Sequence, residues 1–520
     1  MNIGFVNIYA FRPHVEHLFY LSLLAKEAGH GTFALSCPGS SSLCYPKALK
    51  HSPSLKECAK CLVGGVLSYP FDHVDFIGSK ESSRRISDTE IDRLLVSSSA
   101  TLNRVESQQE WHTPELRAAR QALSANFRNT FHSAVRWIEK NKLSFVVCFN
   151  GRMDMTRAIT YACETMGIPY LTHERTWFGD GIQLVPNANC LSIGALHRMN
   201  TEYEDKLLTS EQAQLAARFI ASRFTKQNNL EWRLYNKDAT KASWPTQTSK
   251  ARILVLPSSK NEFAGHEEWV TEWDSNTEAL DALFERNNIS ADQVVLRCHP
   301  NWSETIGKVA GTRSESLYTD WAKRKKIYCI KSAEKADTYD LIQEADIVIM
   351  NGGSSSIEAA ACGKKVICLG PSTYQMARFC DSLLSYADIN SYGDLLDSVD
   401  QDRILRSNLR YIYLRAARFP QYVPYVKAIA TTSYKYFGGA DPMRLINAAM
   451  SGELVADDTD FADSSEYEDK AVEQIKFRDW AGIMNSTDEK KKPLPELHIE
   501  RRFGLQWVDG LRNKMPRGDR

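Results

Sequence analysis

The chain has 520 residues, 43% of them hydrophobic, with 64 Lys and Arg set against 64 Asp and Glu for a formal net charge of +0. That is enough length for two to four domains of roughly 150 residues each, and enough apolar side chain for a full globular core. The balance of charge excludes the basic excess expected of a nucleic-acid-binding protein, and no run of about 18 apolar residues reads as a membrane-spanning helix.

Residues 2–9 (NIGFVNIY) are apolar and β-prone, and the opening MNIGFVNIYAFRPHVEH has no basic segment leading into a long apolar one, so no secretory signal is expected. A helix is predicted over 14–28, ended by Gly29 in a left-handed turn, and a second strand over 31–36. Strand, helix and strand in this order open a parallel sheet. The stretch 50–140 is rich in Ser, Glu and Arg and reads as an excursion, helical from about 116 to 140, that could shape an acceptor site. It opens near Cys37, Cys44, Cys58 and Cys61, the last two as Cys-x-x-Cys. A four-thiolate zinc site is one reading. Cys37 and Cys44 are too widely spaced for a zinc knuckle, so ordinary thiols are expected. Most of the 12 cysteines sit singly in apolar segments, as Cys148 and Cys368 do, which is how buried thiols look in a reducing compartment.

SFVVCFN (144–150) is a buried strand running into a helix over 153–166, and YLTHE (170–174) is the next strand. Residues 205–245 predict a long helix and then a polar connector, TKASWPTQTSK. A fresh βα series follows: strands at 251–259, 293–300, 326–330 and 345–353, a helix over 355–362 and a strand at 364–370. Helices are predicted to dominate 398–449. The segment 453–469 is strongly acidic and reads as solvated and mobile. The last twenty residues lean basic and carry Phe503, Leu505 and Trp507, a composition that could lie on an anionic membrane surface. The predicted architecture is α/β: a Rossmann-like unit over 1–240, a second over 245–450, and a helical, partly disordered tail over 451–520.

Two βα series joined by a connector predict a crevice lined by the C-terminal ends of the strands. His299 and Pro300 end the strand QVVLRCHP, placing an imidazole donor where a phosphate could sit. NGGSSS (351–356) joins a buried strand to a helix. There Gly352 and Gly353 let the backbone approach a ligand, and Ser354, Ser355 and Ser356 add hydroxyls to the free N–H groups of the turn. Glu358 follows, able to accept from a ribose hydroxyl. HERTWFGDG (173–181) holds two candidate general bases, Glu174 and Asp180, beside Trp177 and Phe178, which could stack on a sugar. Asn150, Arg152 and Asp154 lie at a strand-to-helix turn on the same edge and could hold acceptor hydroxyls. Ser258, Ser259 and Lys260 end the first strand of the second series and could meet the donor.

RCHP and ADIVIMNGGSSSIEAAACGKKVICLG, with FNGR and a strand ending at Glu174 in the first half, resemble the bacterial capsule polysaccharide biosynthesis family of GT-B glycosyltransferases. The likeness spans about two-thirds of the chain. It implies a GT-B fold, two Rossmann-like domains facing a cleft, and transfer of a sugar from a nucleotide-activated donor to a glycan or glycolipid acceptor, a growing capsule or lipopolysaccharide. The His-Pro and serine-cluster pair is also similar to bacterial sialyltransferases and teichoic-acid-type polymerases. That similarity implies that His299, Ser354, Ser355 and Ser356 hold CMP, with a Kdo-like or sialic-acid-like sugar attached. The sialyltransferase base lies in an acidic-acidic-Gly motif, and this chain offers only Gly179-Asp180-Gly181, so Glu174 and Asp180 both stand. No Asp-x-Asp metal motif stands out, so metal-independent chemistry with no cofactor is expected. The expected location is the cytoplasm, with peripheral contact to the inner membrane or to other glycan-assembly enzymes. A nucleotide-sugar 2-epimerase, another group transferase on the same fold, or a non-catalytic scaffold are the alternatives.

Overall fold

The computed structural model describes residues 1–231, 238–306, 309–486 and 493–514. Strands β1 (Asn2–Asn7), β2 (Gly31–Ser36), β3 (His73–Phe76), β4 (Phe145–Phe149), β5 (Tyr170–Arg175) and β6 (Ile182–Pro186) form one sheet in the order β3-β2-β1-β4-β5-β6. All neighbours run parallel except β5 and β6. The second sheet contains β7 (Ile253–Leu256) and β8 (Val294–Arg297). After a short hairpin of β9 (Thr305–Ile306) and β10 (Val309–Ala310), it adds β11 (Tyr328–Ile330), β12 (Ile347–Met350), β13 (Lys365–Leu369) and β14 (Asp381–Leu383). Its order is β11-β8-β7-β12-β13-β14, parallel throughout. Both sheets therefore carry the Rossmann strand order 3-2-1-4-5-6. The apolar runs have a plain cause: β4, β7, β8, β12 and β13 are buried on both faces, so they lack the alternation of a half-exposed strand. The architecture is GT-B, two Rossmann-like units meeting at a cleft.

The long helix of the first half runs Pro114–Asn141 and lies against β1. Close packing there depends on Gly4: a Cβ at that position would stand 2.5 Å from Trp137 Cη2 and 2.8 Å from Leu143 Cδ1.

The units do not follow the boundaries expected from composition. The predicted helix over the 205–245 region reduces to Ser210–Phe224, opened by a capping box between Thr209 and Gln212. Its face of Ala213, Ala216, Ala217 and Ile220 packs in the same core as Leu254, Val348, Ile357 and Leu409 of the second half. The chain crosses the other way after the helix Gln401–Tyr413. Gln421 exchanges main-chain hydrogen bonds with Ile182, each 2.8 Å, on the outer strand of the first sheet. Strands β15 (Val426–Ala430) and β16 (Ser433–Phe437) stand where helix was expected, and with the helix Met443–Ser451 they pack on the first sheet's core through Tyr422, Val426, Tyr436 and Leu445. Residues from about 420 to 450 thus belong to the first unit, not to a second unit reaching 450, while Ala456, Ala471 and Val472 return to the second unit's core.

The acidic segment is fastened rather than loose. Glu468, fully buried, accepts from Arg410 Nε and Nη2 at 2.9 Å each and from Leu208 N. Asp458 accepts from Gln212 at 2.9 Å and from the Tyr413 hydroxyl. Further on, Arg501 is held between Asp509 and the Gly64 carbonyl, while Phe503 and Trp507 stay exposed. No helix among the described residues is long and apolar enough to cross a membrane.

Arg223, near the end of the helix Ser210–Phe224, ties these pieces together. Its Nη1 donates to Glu358 Oε1 at 2.7 Å and to the Ser354 carbonyl at 3.3 Å. Its other edge engages both oxygens of Glu231. Burial opposes its charge, and the two carboxylates more than offset that, so the guanidinium stays firmly protonated.

Two stability measurements follow from this packing. Gly4→Ala should overpack the β1–Trp137 contact and cost about 1–3 kcal/mol, read as a lowered denaturant midpoint. Trp137→Phe in the same chain should recover part of it, and a neutral Gly4→Ala would mean that the helix is free to move off the sheet. Arg223→Met leaves two buried carboxylates without their cation and should cost about 3–5 kcal/mol. Adding Glu231→Gln and Glu358→Gln should restore most of that loss; a triple variant as unstable as the single one would show that the lost charge is not the cause.

Candidate functional site

The C-terminal ends of β7, β8 and β12 converge at the point where the strand order of the second sheet reverses. Asn351 clamps that point. Its side-chain Oδ1 accepts from Ser258 N at 2.6 Å and its Nδ2 donates to the Ser258 carbonyl at 2.9 Å, so one amide stitches β7 to β12 where their ladder ends. Both glycines that follow have a steric reason. Gly352 has φ +105, and a Cβ on Gly353 would come within 2.8 Å of Ser258 Oγ.

A cavity of about 240 Å³ lies over this edge. The second half lines it with Ser258, His299, Pro300, Gly353, Ser354 and Ser355. The first half contributes Arg175 and Trp177, and the connecting segment contributes Arg223 and Glu231. Four cations line it (Arg175, Arg223, Lys226 and Arg297) against two carboxylates, Glu231 and Glu358. The surplus is positive and suits an anion. Arg297 is the unusual member. It is buried, and its hydrogen bonds go to the carbonyls of Cys298, Lys331 and Glu334 rather than to a carboxylate. Burial draws its pKa below the usual arginine value. The Trp177 ring lies under two guanidinium groups, Arg223 at 5.3 Å and Arg415 at 5.1 Å. Phe178, its neighbour, is core. His299 caps the turn Pro300–Ser303, with Nδ1 2.7 Å from Asn301 Oδ1 and 3.2 Å from Asn301 N.

Several expected residues fall elsewhere. Ser356 is fully buried beneath the turn, so two hydroxyls of the cluster reach the cavity rather than three. Ser259 accepts from Trp302 Nε1 at 2.7 Å and is spent on the fold. Lys260 points the other way: Nζ donates to Thr271 Oγ1 at 2.9 Å in a separate cleft that Asn351 also borders. Gly352 supplies the turn and does not line the cavity. Glu358 does line it, but its Oε1 is held by Arg223, and burial raises its pKa against the pull of that cation.

On the first sheet, Glu174 is the penultimate residue of β5, just before the cavity-lining Arg175. Its Oε1 sits 3.0 Å from His14 Nε2 and accepts from Arg175 N at 3.0 Å; its Oε2 accepts from Asn150 Nδ2 at 3.2 Å. Burial raises its pKa, opposed by these donors. His14 is buried, stacks on Phe149 at 4.0 Å and is held neutral by burial and by the charge of Arg175, so its Nε2–H donates to the carboxylate. Asn150, at φ +62, positions Glu174 instead of holding an acceptor. Arg152 is turned inward onto Ser97 and Thr101. Asp154 is fully buried and takes hydrogen bonds from the Tyr9 hydroxyl and Tyr45 N. Asp180 is likewise occupied, Oδ2 by Lys427 at 2.7 Å and Oδ1 by Ala428 N at 2.9 Å, and so pins β15 to its turn.

The composition of the sequence motifs gave no hint of Arg175, Arg223, Arg297 or His14. The one available signal was RCHP itself, whose arginine precedes the histidine by two residues. Cys37, Cys44, Cys58 and Cys61 line one small pocket with Tyr9 and Met155, and no group among the described residues is arranged to hold a metal ion.

No family model and no curated protein matches this chain. Among solved structures it is similar to two KpsC enzymes of Thermosulfurimonas dismutans. With the β-Kdo 2,4 transferase it shares 13% identity over 64% of this chain and 87% of that one, at a TM-score of 0.32. With the β-Kdo 2,7 transferase it shares 11% over 67% and 89%, at 0.34. The UDP-GlcNAc 2-epimerase of Neisseria meningitidis, bound to UDP-GlcNAc, shares 12% over 79% and 96%, at 0.26. At these values no residue role passes from those proteins to this chain, and the fold rests on its own two sheets.

Proposed function

We propose that the protein is a glycosyltransferase that takes a sugar from a nucleotide-activated donor, preferentially a CMP-linked acidic sugar such as Kdo or a sialic-acid-like sugar. The acceptor is a surface glycan assembled on the cytoplasmic side of the membrane. The observation that carries this reading is the cationic cavity at the strand-reversal point of the second sheet, where Ser258, His299, Ser354 and Ser355 converge under side chains from the first half. Strand-reversal points are where open parallel sheets bind nucleotides. The motif resemblance in RCHP and NGGSSS supports the same assignment.

In this reading the donor phosphate lies against Ser354, Ser355 and the main chain of Gly353. The imidazole of His299 lines the same cavity and meets the departing phosphate there. The sugar carboxylate has Arg297 and Arg175 within the same cavity. Glu174 takes the proton of the acceptor hydroxyl as that oxygen attacks the anomeric carbon, and the C–O bond to phosphate breaks with its electron pair leaving on the nucleotide. Glu174 is preferred to Asp180 because it adjoins the cavity-lining Arg175 and its hydrogen-bond donors are uncharged, whereas Asp180 is paired with the Lys427 ammonium. His14 and Asn150 act through Glu174 as positioning residues. Arg and Ser side chains meet the charge of the leaving group, so the chemistry proposed uses no metal and no cofactor.

A thermal-shift panel of CMP, CDP, UDP and GDP tests the site. CMP should stabilise most, by about 2.7 kcal/mol at 100 times its dissociation constant. Ser354→Ala with Ser355→Ala should weaken nucleotide binding by about 1.5–3 kcal/mol per lost hydrogen bond to phosphate. Ser356→Ala, whose hydroxyl is buried beneath the turn, should leave affinity alone; equal losses from all three serines would relocate the phosphate. Preferential binding of UDP, with conversion of UDP-GlcNAc in the absence of any acceptor, would replace this reading by the epimerase.

Glu174→Gln should lower turnover by at least about 10²-fold while sparing nucleotide binding, and Asp180→Asn should have the smaller effect. Because burial raises the Glu174 pKa and a base must be ionised, kcat/KM should fall as pH drops through a value above the ordinary carboxylate range. That acid limb should vanish in Glu174→Gln. An unchanged pH profile in the variant would remove Glu174 from the proton transfer.

A further inference from the structure

A second cleft opens on the far side of the Asn351–Gly353 turn, between residues 105–111 of the first half and 260–271 of the second. We infer that this cleft is the subsite for an uncharged pyranose unit of the acceptor saccharide; the inference rests on the transferase reading above.

Its rim is aromatic. Phe263 and Trp269 stack with ring centroids 3.7 Å apart and planes 11° from parallel, and Trp111 lines the same cleft. Trp269 cannot swing freely, because its Nε1 donates to the Leu191 carbonyl at 2.8 Å. A fixed, half-exposed aromatic pair beside polar groups is the surface on which the apolar face of a sugar ring lies.

The floor has hydrogen-bonding capacity left over. Asn276 is 3% exposed; its Nδ2 donates to the Tyr318 hydroxyl at 3.1 Å, but its Oδ1 is buried with no hydrogen-bond partner. A buried amide oxygen without a donor is costly to leave so, and a ligand hydroxyl supplies that donor. Lys260 Nζ, bonded to Thr271 Oγ1 at 2.9 Å, carries three N–H groups. The enclosed space is about 50 Å³, a few water positions by the usual measure of one probe-sized site per water. It takes a hydroxyl or hydroxymethyl arm while the ring rests across the aromatic rim.

Charge decides the class of sugar. Glu106 accepts from Lys260 N at 2.7 Å and from Asn261 Nδ2 at 3.0 Å, and Asp274 accepts from Gln108 N at 2.6 Å. Both carboxylates, with Glu278 behind them, act on Lys260, whose ammonium burial disfavours. Burial also keeps His266 toward its neutral form. One cation, Lys260, and one carboxylate, Glu106, line the cleft, and Asp274 and Glu278 lie close enough to act on the same ammonium. A uronate or sialate carboxylate would meet net repulsion here, and neutral hydroxyls would not. This is the reverse of the donor cavity, so the two clefts sort an anionic donor from an uncharged acceptor unit.

Saturation-transfer NMR on the full chain tests this, with maltotetraose, cellotetraose and chitotetraose as neutral probes and tetragalacturonate as the charged one. At least one neutral probe should bind at millimolar concentration and tetragalacturonate should not. Trp269→Ala and Lys260→Met should each weaken that binding about tenfold, a loss of about 1.4 kcal/mol. Lys260→Met preserves length and bulk, so it remains informative if Trp269→Ala fails to fold. No signal from any neutral probe, stronger binding of tetragalacturonate, or full binding by a folded Lys260→Met protein would overturn the assignment. CMP and UDP titrations on the same samples separate the two readings. Nucleotide binding without saccharide binding defeats this inference alone, and saccharide binding without nucleotide binding defeats the transferase reading alone.

Discussion

Arg223 ties the connecting segment to the second sheet at the wall of the cavity over the serine turn. It comes from a helix that follows the first sheet in sequence yet packs against the second. It is neutralised by Glu231 of the connecting segment and by Glu358 at the base of the serine turn. A guanidinium this deep is tolerated only with its geometry filled, and here every side of it is spoken for: two carboxylates, one carbonyl and the Trp177 ring. The same residue therefore sets the distance between the first half's Trp177 and the second half's Ser354. Ligand geometry and interdomain geometry are one quantity at this point.

The parallel strands were legible in the sequence for a simple reason. A strand buried on both faces needs an unbroken apolar run, and FVVCF, ILVL, VVLR, IVIM and KVICL each supply one at the expected place. The Gly352–Gly353 turn was legible because a glycine pair directly after an apolar strand marks a tight turn. What escaped was anything determined by contacts distant in sequence. The hairpin of β15 and β16 was read as helix because its segment lacks a clear two-residue alternation, and its strand state is fixed by packing on a sheet begun some 400 residues earlier. The acidic segment looked mobile because its partners, Arg410 and Gln212, lie far away along the chain. Arg152 and Asp154 looked like ligand contacts because they occupy the correct edge, but a strand edge also has an inward side, and Tyr9, Tyr45 and Thr101 claim them there.

The two halves solve opposite electrostatic problems. In the cavity over the second sheet, cations outnumber carboxylates, and one of them, Arg297, is braced by carbonyls so that its charge is not cancelled locally. In the first half a single carboxylate, Glu174, is kept among neutral donors, with a histidine that burial prevents from becoming a counter-ion. An acid paired with a charged imidazole would be a weaker base. An acid steadied by an uncharged one keeps its proton affinity while losing its freedom to rotate.

The return of the chain across the molecule at Gln421 bears on how the protein is made. The first sheet is complete in hydrogen bonds once β6 has emerged from the ribosome, but part of the apolar surface beneath it is covered by Tyr422, Val426, Tyr436 and Leu445. Those side chains are synthesised only after the whole second sheet. At translation rates of roughly 5–20 residues per second, the nascent first half must wait more than ten seconds with that face open. During that wait the second half folds beside it, so the order of synthesis makes the late-arriving strands the closing seam of the earliest domain.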